Sequence, residues 1–291
     1  MLAYYSASAR HDFWTEHWGG HGVSELLAVA RASPLTRLIT DALPASGVVL
    51  EAGCGLGQYV ILLRERGWRA AGVDGSVEAL VTCRRAAAVP LAASDLRALA
   101  VATGAVAAYV SLGVVEHDPE GPDAILAEAH RVLAPGGVLV ISVPYLNGVR
   151  RLGGPWIRRQ QAGIQGRGGA FYQYAFTRGE FLGALRRQRF EPVASSPYDP
   201  ARVLRGALRA ARRRVTAAAP TPDVPSRAPS VPSPTPGSPA HAPVPAAAPP
   251  GAPRSPAEPR RWLARAARRA LYTEPALRLL GHMLLVVARR A

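Results

Sequence analysis

The run Glu51-Ala52-Gly53-Cys54-Gly55-Leu56-Gly57 closes an apolar stretch and stands directly before a segment of helical period. Glycines at alternate positions carry no Cβ to hold a ligand away from the backbone, so their amides can approach a group bound at the carboxyl end of a strand. The next apolar stretch ends in Asp74-Gly75. A carboxylate at that position can accept hydrogen bonds from both hydroxyls of a ribose. Together the two features specify a nucleoside-type cofactor at the edge of a sheet. A dinucleotide fingerprint needs a third glycine where Gln58 stands, although Gly53 and Gly55 fit its first two. The pattern present has an acid, Glu51, two residues before the first of three alternating glycines.

Strands and helices must alternate to place these residues. Apolar residues recur at helical spacing from Val23 to Leu43, with Leu26, Leu27, Ala30, Leu35, Leu38, Ile39 and Leu43 as the buried stripe. Strands are then expected at Val48–Ala52, Arg69–Asp74, Pro90–Ala93, Ala105–Ser111 and Val138–Val143. Helices are expected at Gln58–Arg66, Ser76–Ala87 and about Pro122–Leu133. Alternation of this kind implies an α/β fold, a mostly parallel sheet covered on both faces. Residues 145–175, rich in Gly and Arg, show no sustained period. Thr177 followed by Glu180 reads as a capping box opening a helix to about Gln188, before a strand near Phe190–Ala194. Residues 217–259 hold 15 of the chain's 27 prolines, a composition that cannot bury enough apolar surface to fold. The expected organisation is therefore a helical cap (1–44), a cofactor-binding core (45–198), a basic amphipathic helix (199–216), a disordered insert (217–259), and a C-terminal helix with the last core strand (260–291).

The loop at Glu51–Gly57, Asp74, Ser94-Asp95-Leu96, the stretch Tyr109–His117 and the turn Arg131–Gly137 resemble, in order, the motifs of the class I S-adenosylmethionine-dependent methyltransferases, particularly the small-molecule branch. The resemblance covers about residues 45–195. It implies a Rossmann-like, doubly wound sheet of seven strands whose last strand, His282–Ala288 here, lies antiparallel between the fifth and sixth. It implies S-adenosylmethionine as cofactor, with Glu51, Gly53, Cys54, Gly55 and Gly57 around the methionine part and Asp74 and Gly75 at the ribose. Ser94, Asp95 and Leu96 would then meet the adenine, with Ser111 and Leu112 beside the cofactor at the fourth strand. His117, at that strand's end, is the candidate base for an oxygen acceptor. The chain departs from the family at Gly104-Ala105, where an Asp is common. Ser111-Leu112-Gly113-Val114 also lacks the Asn- or Asp-Pro-Pro-aromatic signature of enzymes that methylate base amines, which disfavours a nucleic-acid acceptor. O- or C-methylation of a small-molecule or lipid-linked acceptor is the expected reaction.

Composition bounds the rivals. The formal charge is +15, yet residues 1–196 hold 19 Arg against 16 acids, and residues 197–291 hold 16 Arg against 4. The basic excess thus lies away from the motifs, in C-terminal segments where Leu204, Leu208, Trp262, Leu263 and Leu271 interleave with Arg. A peripheral contact with an anionic membrane through those segments is the expectation there, and a membrane- or nucleic-acid-binding module is the alternative from a different class. A nicotinamide-dependent oxidoreductase is the enzymic alternative, disfavoured by Gln58 and by the absence of any Lys to build a hydride-transfer pair. Two cysteines, Cys54 and Cys83, make no disulfide framework, and no signal-peptide run opens the chain, so a cytoplasmic protein is expected. His11, His17 and His21 beside Phe13, Trp14 and Trp18 lack a ligand pattern, so no metal is assigned. The aromatics are expected on an N-terminal helix over the cofactor pocket.

Overall fold

The computed structural model describes residues 1–8, 18–200, 202 and 269–291. Residues 1–203 and 272–291 group into one compact unit. Its sheet contains β2 (Val48–Ala52), β3 (Arg69–Asp74), β4 (Leu91–Ala93), β5 (Val106–Leu112), β6 (Leu133–Pro144), β8 (Phe190–Tyr198) and β9 (Met283–Arg290), in the order β4-β3-β2-β5-β6-β9-β8. The pairs from β4 through β6 are parallel. The last strand, β9, runs antiparallel to β6 on one side and to β8 on the other. The fold is therefore the doubly wound α/β sheet expected from the motifs, with the final strand inserted as expected.

Alternation along the central strands explains why both faces are covered. Leu139, Ile141, Leu284, Val286 and Ala288 point into one apolar layer with Leu126 of α5 (Asp123–Val132) and with Phe181 and Leu185 of α8 (Arg178–Arg187). Val138, Val140 and Leu285 point into the other. There they meet Leu62 and Leu63 of α3 (Gln58–Glu65), Leu80 of α4 (Val77–Ala86) and Ile39. Strands apolar at every position need this double cover. The α8 capping box forms as the sequence requires, Thr177 accepting from the Glu180 amide and Glu180 from that of Thr177.

Four local expectations are corrected. The stripe from Val23 to Leu43 is two helices, α1 (Val23–Ala32) and α2 (Pro34–Ala42). Ser33 caps the second and Pro34 prevents continuation, which leaves Leu38 exposed. The chain opens on a strand, β1 (Leu2–Ser6), paired antiparallel with β7 (Ala170–Ala175). The first residues are thus not helical; five residues are too few to show a period. Residues 145–175 are ordered into α6 (Gly148–Leu152), α7 (Gly154–Gly166) and β7. Their inward stripe, Arg150, Gly154, Ile157, Gln161 and Ile164, contains only two aliphatic residues, so no apolar period was visible. The strand β8 continues past Ala194 to Tyr198 because β9 supplies partners as far as Met283.

The basic segment 202–215, apart from Arg202, and the Pro-rich stretch 217–259 lie outside the described residues. Of the helix expected at 260–281, residues 260–268 lie outside them too, while α9 (Glu274–Leu280) leads into β9. Asn147, the chain's one asparagine, ties this end down. It is fully buried, caps α6 through the Arg150 amide at 2.9 Å, and donates to the Gly281 carbonyl at 2.7 Å.

Candidate active site

A cavity of about 1340 Å³ opens at the carboxyl edge of the sheet. Four of its sides come from the ends of β2, β3, β4 and β5, and the start of β9 reaches the same edge because that strand is antiparallel. A pocket for one small ligand usually measures about 300–1,000 Å³, so the space admits two.

One half is built from turns. Gly53 has φ +77° and a Cβ there would run into Val114, while Gly57, at φ +69°, is the αL residue from which α3 starts. The loop is pinned to β3 by the Gly53 and Cys54 amides, which both donate to the Val73 carbonyl. Asp74 accepts from the Gly55 amide at 2.7 Å through Oδ2 and from the Ser76 amide at 2.8 Å through Oδ1. Each carboxylate oxygen keeps a second lone pair, so the group stands fixed in the cavity wall with acceptor capacity for two hydroxyls. Glu51 is buried against the same wall, its Oε2 has no partner, and burial pushes its carboxyl up to about 8. Gln58 Oε1 is likewise buried without a partner. Orphaned acceptors in a cavity wall suit a ligand that brings donors or positive charge. Cys54 lines the wall, and burial raises its thiol so far that no nucleophilic role follows.

Gly75, Ser94, Asp95, Leu96 and Leu112 also face the cavity. The Asp95 carboxylate is engaged by the Arg97 side chain at 3.0 Å and by its amide at 2.9 Å, which holds it below the usual carboxylate range. Gly55, Gly57 and Ser111 do not line the space: the Trp18 ring lies against Gly55, Cys83 lies against Gly57, and Ser111 is fully buried. Trp18 lines the cavity, whereas Phe13 and Trp14 fall outside the described residues.

The other half gathers residues far apart in the chain. Val115–His117 forms a single 3₁₀ turn after β5, placing His117 at the cavity. His117 Nδ1 lies 2.7 Å from the Tyr172 carbonyl oxygen. A carbonyl only accepts, so Nδ1 carries a proton, and Nε2 is the nitrogen that would hold the lone pair of a neutral ring. Glu116 Oε1 is 3.9 Å from that Nε2, and burial pushes the Glu116 carboxyl up to about 8, so it stays protonated at neutral pH. His282 has the opposite polarity. Arg150 Nη2 sits 2.7 Å from His282 Nδ1. A guanidinium cannot accept, so Nδ1 is the bare nitrogen and Nε2 bears hydrogen. Burial, with Arg150 and Arg202 nearby, lowers His282 to about 3. Of the two cavity histidines, His117 is therefore the one able to take a proton.

Sequence reasoning missed Tyr172, Tyr198, His282 and Arg202, all of which line this half. For Tyr172 a signal existed, since Phe171-Tyr172-Gln173-Tyr174 has strand-like aromatic spacing. Nothing in the sequence joins Tyr198 to His282, whose amide donates to the Tyr198 carbonyl at 2.9 Å.

Residues 50–141 match the family model described as "Methyltransferase domain". A search of the curated proteins found no match. The fold is similar to that of an S-adenosylmethionine-dependent methyltransferase from Mesorhizobium loti, at TM-score 0.51 and 16% identity, covering 89% of this chain and 99% of that one. It is also similar to one from Archaeoglobus fulgidus, at TM-score 0.53 and 14% identity over 96% and 100% of the two chains. A third is geranyl diphosphate C-methyltransferase from Streptomyces coelicolor, in complex with magnesium, geranyl diphosphate and S-adenosyl-L-homocysteine. It gives a TM-score of 0.54 and 17% identity over 100% and 91%.

Proposed function

Because this chain is a class I methyltransferase with S-adenosylmethionine as its cofactor, we propose that it methylates an oxygen or carbon of a small-molecule or lipid-linked acceptor, with His117 as the base. The nicotinamide-dependent alternative is set aside with the family assignment. The observation that carries the proposal is the His117 tautomer, whose proton is held on Nδ1 by the Tyr172 carbonyl.

The residues present fit the cofactor. Asp74, oriented by two backbone amides, would accept from the ribose hydroxyls, and Glu51, buried with an orphaned oxygen, would receive the amino group of the methionine part. Gly53 and Cys54 would lie along that part, with Gly75 beside the ribose; Ser94, Asp95 and Leu96 would flank the adenine, and Leu112 would close the site. Gly55 would act through Asp74, and Gly57 through the helix it starts. When bound, the sulfonium supplies an electrophilic methyl group, so the protein's work is alignment in a water-poor pocket.

His117 Nε2 would remove the acceptor's proton as the new bond to the methyl carbon forms. The resulting imidazolium keeps its Nδ1–H on the Tyr172 carbonyl. Protonated Glu116 puts no carboxylate beside the base. A cavity with room for two ligands fits a free or lipid-linked acceptor better than a duplex. The peripheral membrane contact expected of the C-terminal basic segments rests on sequence alone.

The test is incubation of the purified full chain with methyl-labelled S-adenosylmethionine and extract of the source cell, followed by mass spectrometry of the products. Label in a small or lipid-soluble compound is expected. Label confined to nucleic acid or protein would overturn the acceptor assignment.

A further inference from the structure

The helical segment between β6 and β7 carries an exposed face that methyl transfer does not require. Gly153, with φ −77° and ψ 0°, departs little from helical geometry, so α6 and α7 follow one another almost continuously. Their inner stripe is the one already described, from Arg150 to Ile164. On the opposite side, at spacings of three and four, lie Val149, Leu152 and Trp156. Leu152 is 84% exposed and Trp156 63%, and Leu279, which packs against Gly148 from α9, is itself exposed. A leucine and a tryptophan one turn apart are each mostly in water, and among the described residues neither is covered by an apolar neighbour.

The charge around them is of one sign. Between Glu128 and Glu180 the sequence contains no acid at all, and Arg151, Arg158 and Arg159 are exposed on the same two helices. Among the described residues none of these three makes an ion pair. Arg150, on the inward stripe, bonds His282 in the cavity wall, so the same helices are tied to the acceptor half.

We propose that the α6–α7 face is a docking surface for an anionic lipid bilayer, with Leu152 and Trp156 entering the headgroup boundary and Arg151, Arg158 and Arg159 meeting lipid phosphates. Charge complementarity selects this occupant, because an aromatic and a leucine exposed on helices that carry three exposed arginines and no acid match an interfacial anchor. Phosphates of a nucleic acid would use the arginines and leave the apolar pair in water. Docking itself does not depend on the methyl-transfer reading. It also differs from the expectation placed on the C-terminal basic segments, because the insertion comes from α6 and α7. Among the described residues no helix is long and apolar enough to cross a membrane, so the contact is one of lying on the surface.

The experiment is co-sedimentation of the full chain with phosphatidylcholine vesicles, with and without phosphatidylglycerol. Cofactor affinity is measured by calorimetry on every variant, so failure of docking is separable from failure of the methyltransferase assignment. Wild type is expected on the anionic vesicles only. Leu152→Glu with Trp156→Glu should lower partitioning about a hundredfold, Arg158→Gln with Arg159→Gln about thirtyfold at low salt, and Leu152→Met with Trp156→Phe should bind nearly as wild type. Unchanged cofactor affinity in these variants certifies that they are folded. Absence of wild-type binding overturns the proposal. So does binding that the glutamates do not alter while neutralising the arginines of residues 202–214 abolishes it, or pelleting with RNA alone.

Discussion

The two halves of the cavity are made in different ways. The half proposed for the cofactor is local: Glu51, Gly53 and Cys54 sit at the end of one strand, Asp74 ends the next strand in sequence, and backbone amides hold the geometry. The acceptor half is assembled from His117, Tyr172, Tyr198 and His282, four positions that only tertiary structure brings to one edge. Backbone turns can be shared by a whole family with one cofactor. Side chains carried by distant segments can change with the acceptor while the sheet stays intact.

The most severe way to break the contrast is to remove what both halves share. Truncation after Gly281 deletes β9, which pairs with β6 from Val138 to Pro144 and with β8 from Phe190 to Tyr198. Two strands lose their partner and the apolar layers around Leu284 and Val286 open, so insoluble or unfolded protein is expected. A truncated chain that melts at the full-length temperature would show that the halves do not depend on a common sheet.

Asp74→Ala attacks the cofactor half alone. Two hydrogen bonds to a charged acceptor, each worth about 1.5–3 kcal/mol, are lost, so calorimetry should show cofactor affinity weakened about a hundredfold or more in a folded protein. Unchanged affinity would remove Asp74 from the site.

His117→Ala is the mirror experiment. Turnover on an oxygen acceptor should fall about a hundredfold while cofactor affinity is spared, since the base acts on the acceptor. Loss of affinity in step with turnover would erase the division between the halves, and equal turnover would dismiss His117 as the base.

A last test sharpens the electrostatics of the acceptor half. Burial raises Glu116 to about 8, so between its ordinary value and about 8 the folded protein binds a proton that the unfolded chain releases. Its contribution is full at acid pH and is lost as pH rises through that window, with a slope of about 1.4 kcal/mol per pH unit. Glu116→Gln should remove that slope, so denaturant melts should show the variant gaining on wild type from pH 5 to pH 8. Parallel stability profiles would show that Glu116 ionises normally.

The sequence by itself determined the turn-built half of the cavity and the order of the core, because both rest on short-range rules. Alternating glycines before a helix, an acid at a strand's end, continuous apolar strands and the Thr177–Glu180 cap each act within a few residues, so type and spacing suffice to read them. The place of β9 came from the resemblance to the family, and the run His282–Ala288, apolar at nearly every position, met what a strand buried on both faces requires. What the sequence left open has the opposite cause. The α6–α7 segment hides because three of the five residues of its inner stripe are arginine, glycine and glutamine, held by contacts such as Gln161 accepting from the Tyr5 amide at 2.7 Å. The polarities of His117 and His282 were undecidable from the sequence, because each is set by a partner distant in the chain: the Tyr172 carbonyl for one, the Arg150 guanidinium for the other. Which histidine can accept a proton is thus a property of packing, since a ring nitrogen's role follows from the group that faces its neighbour.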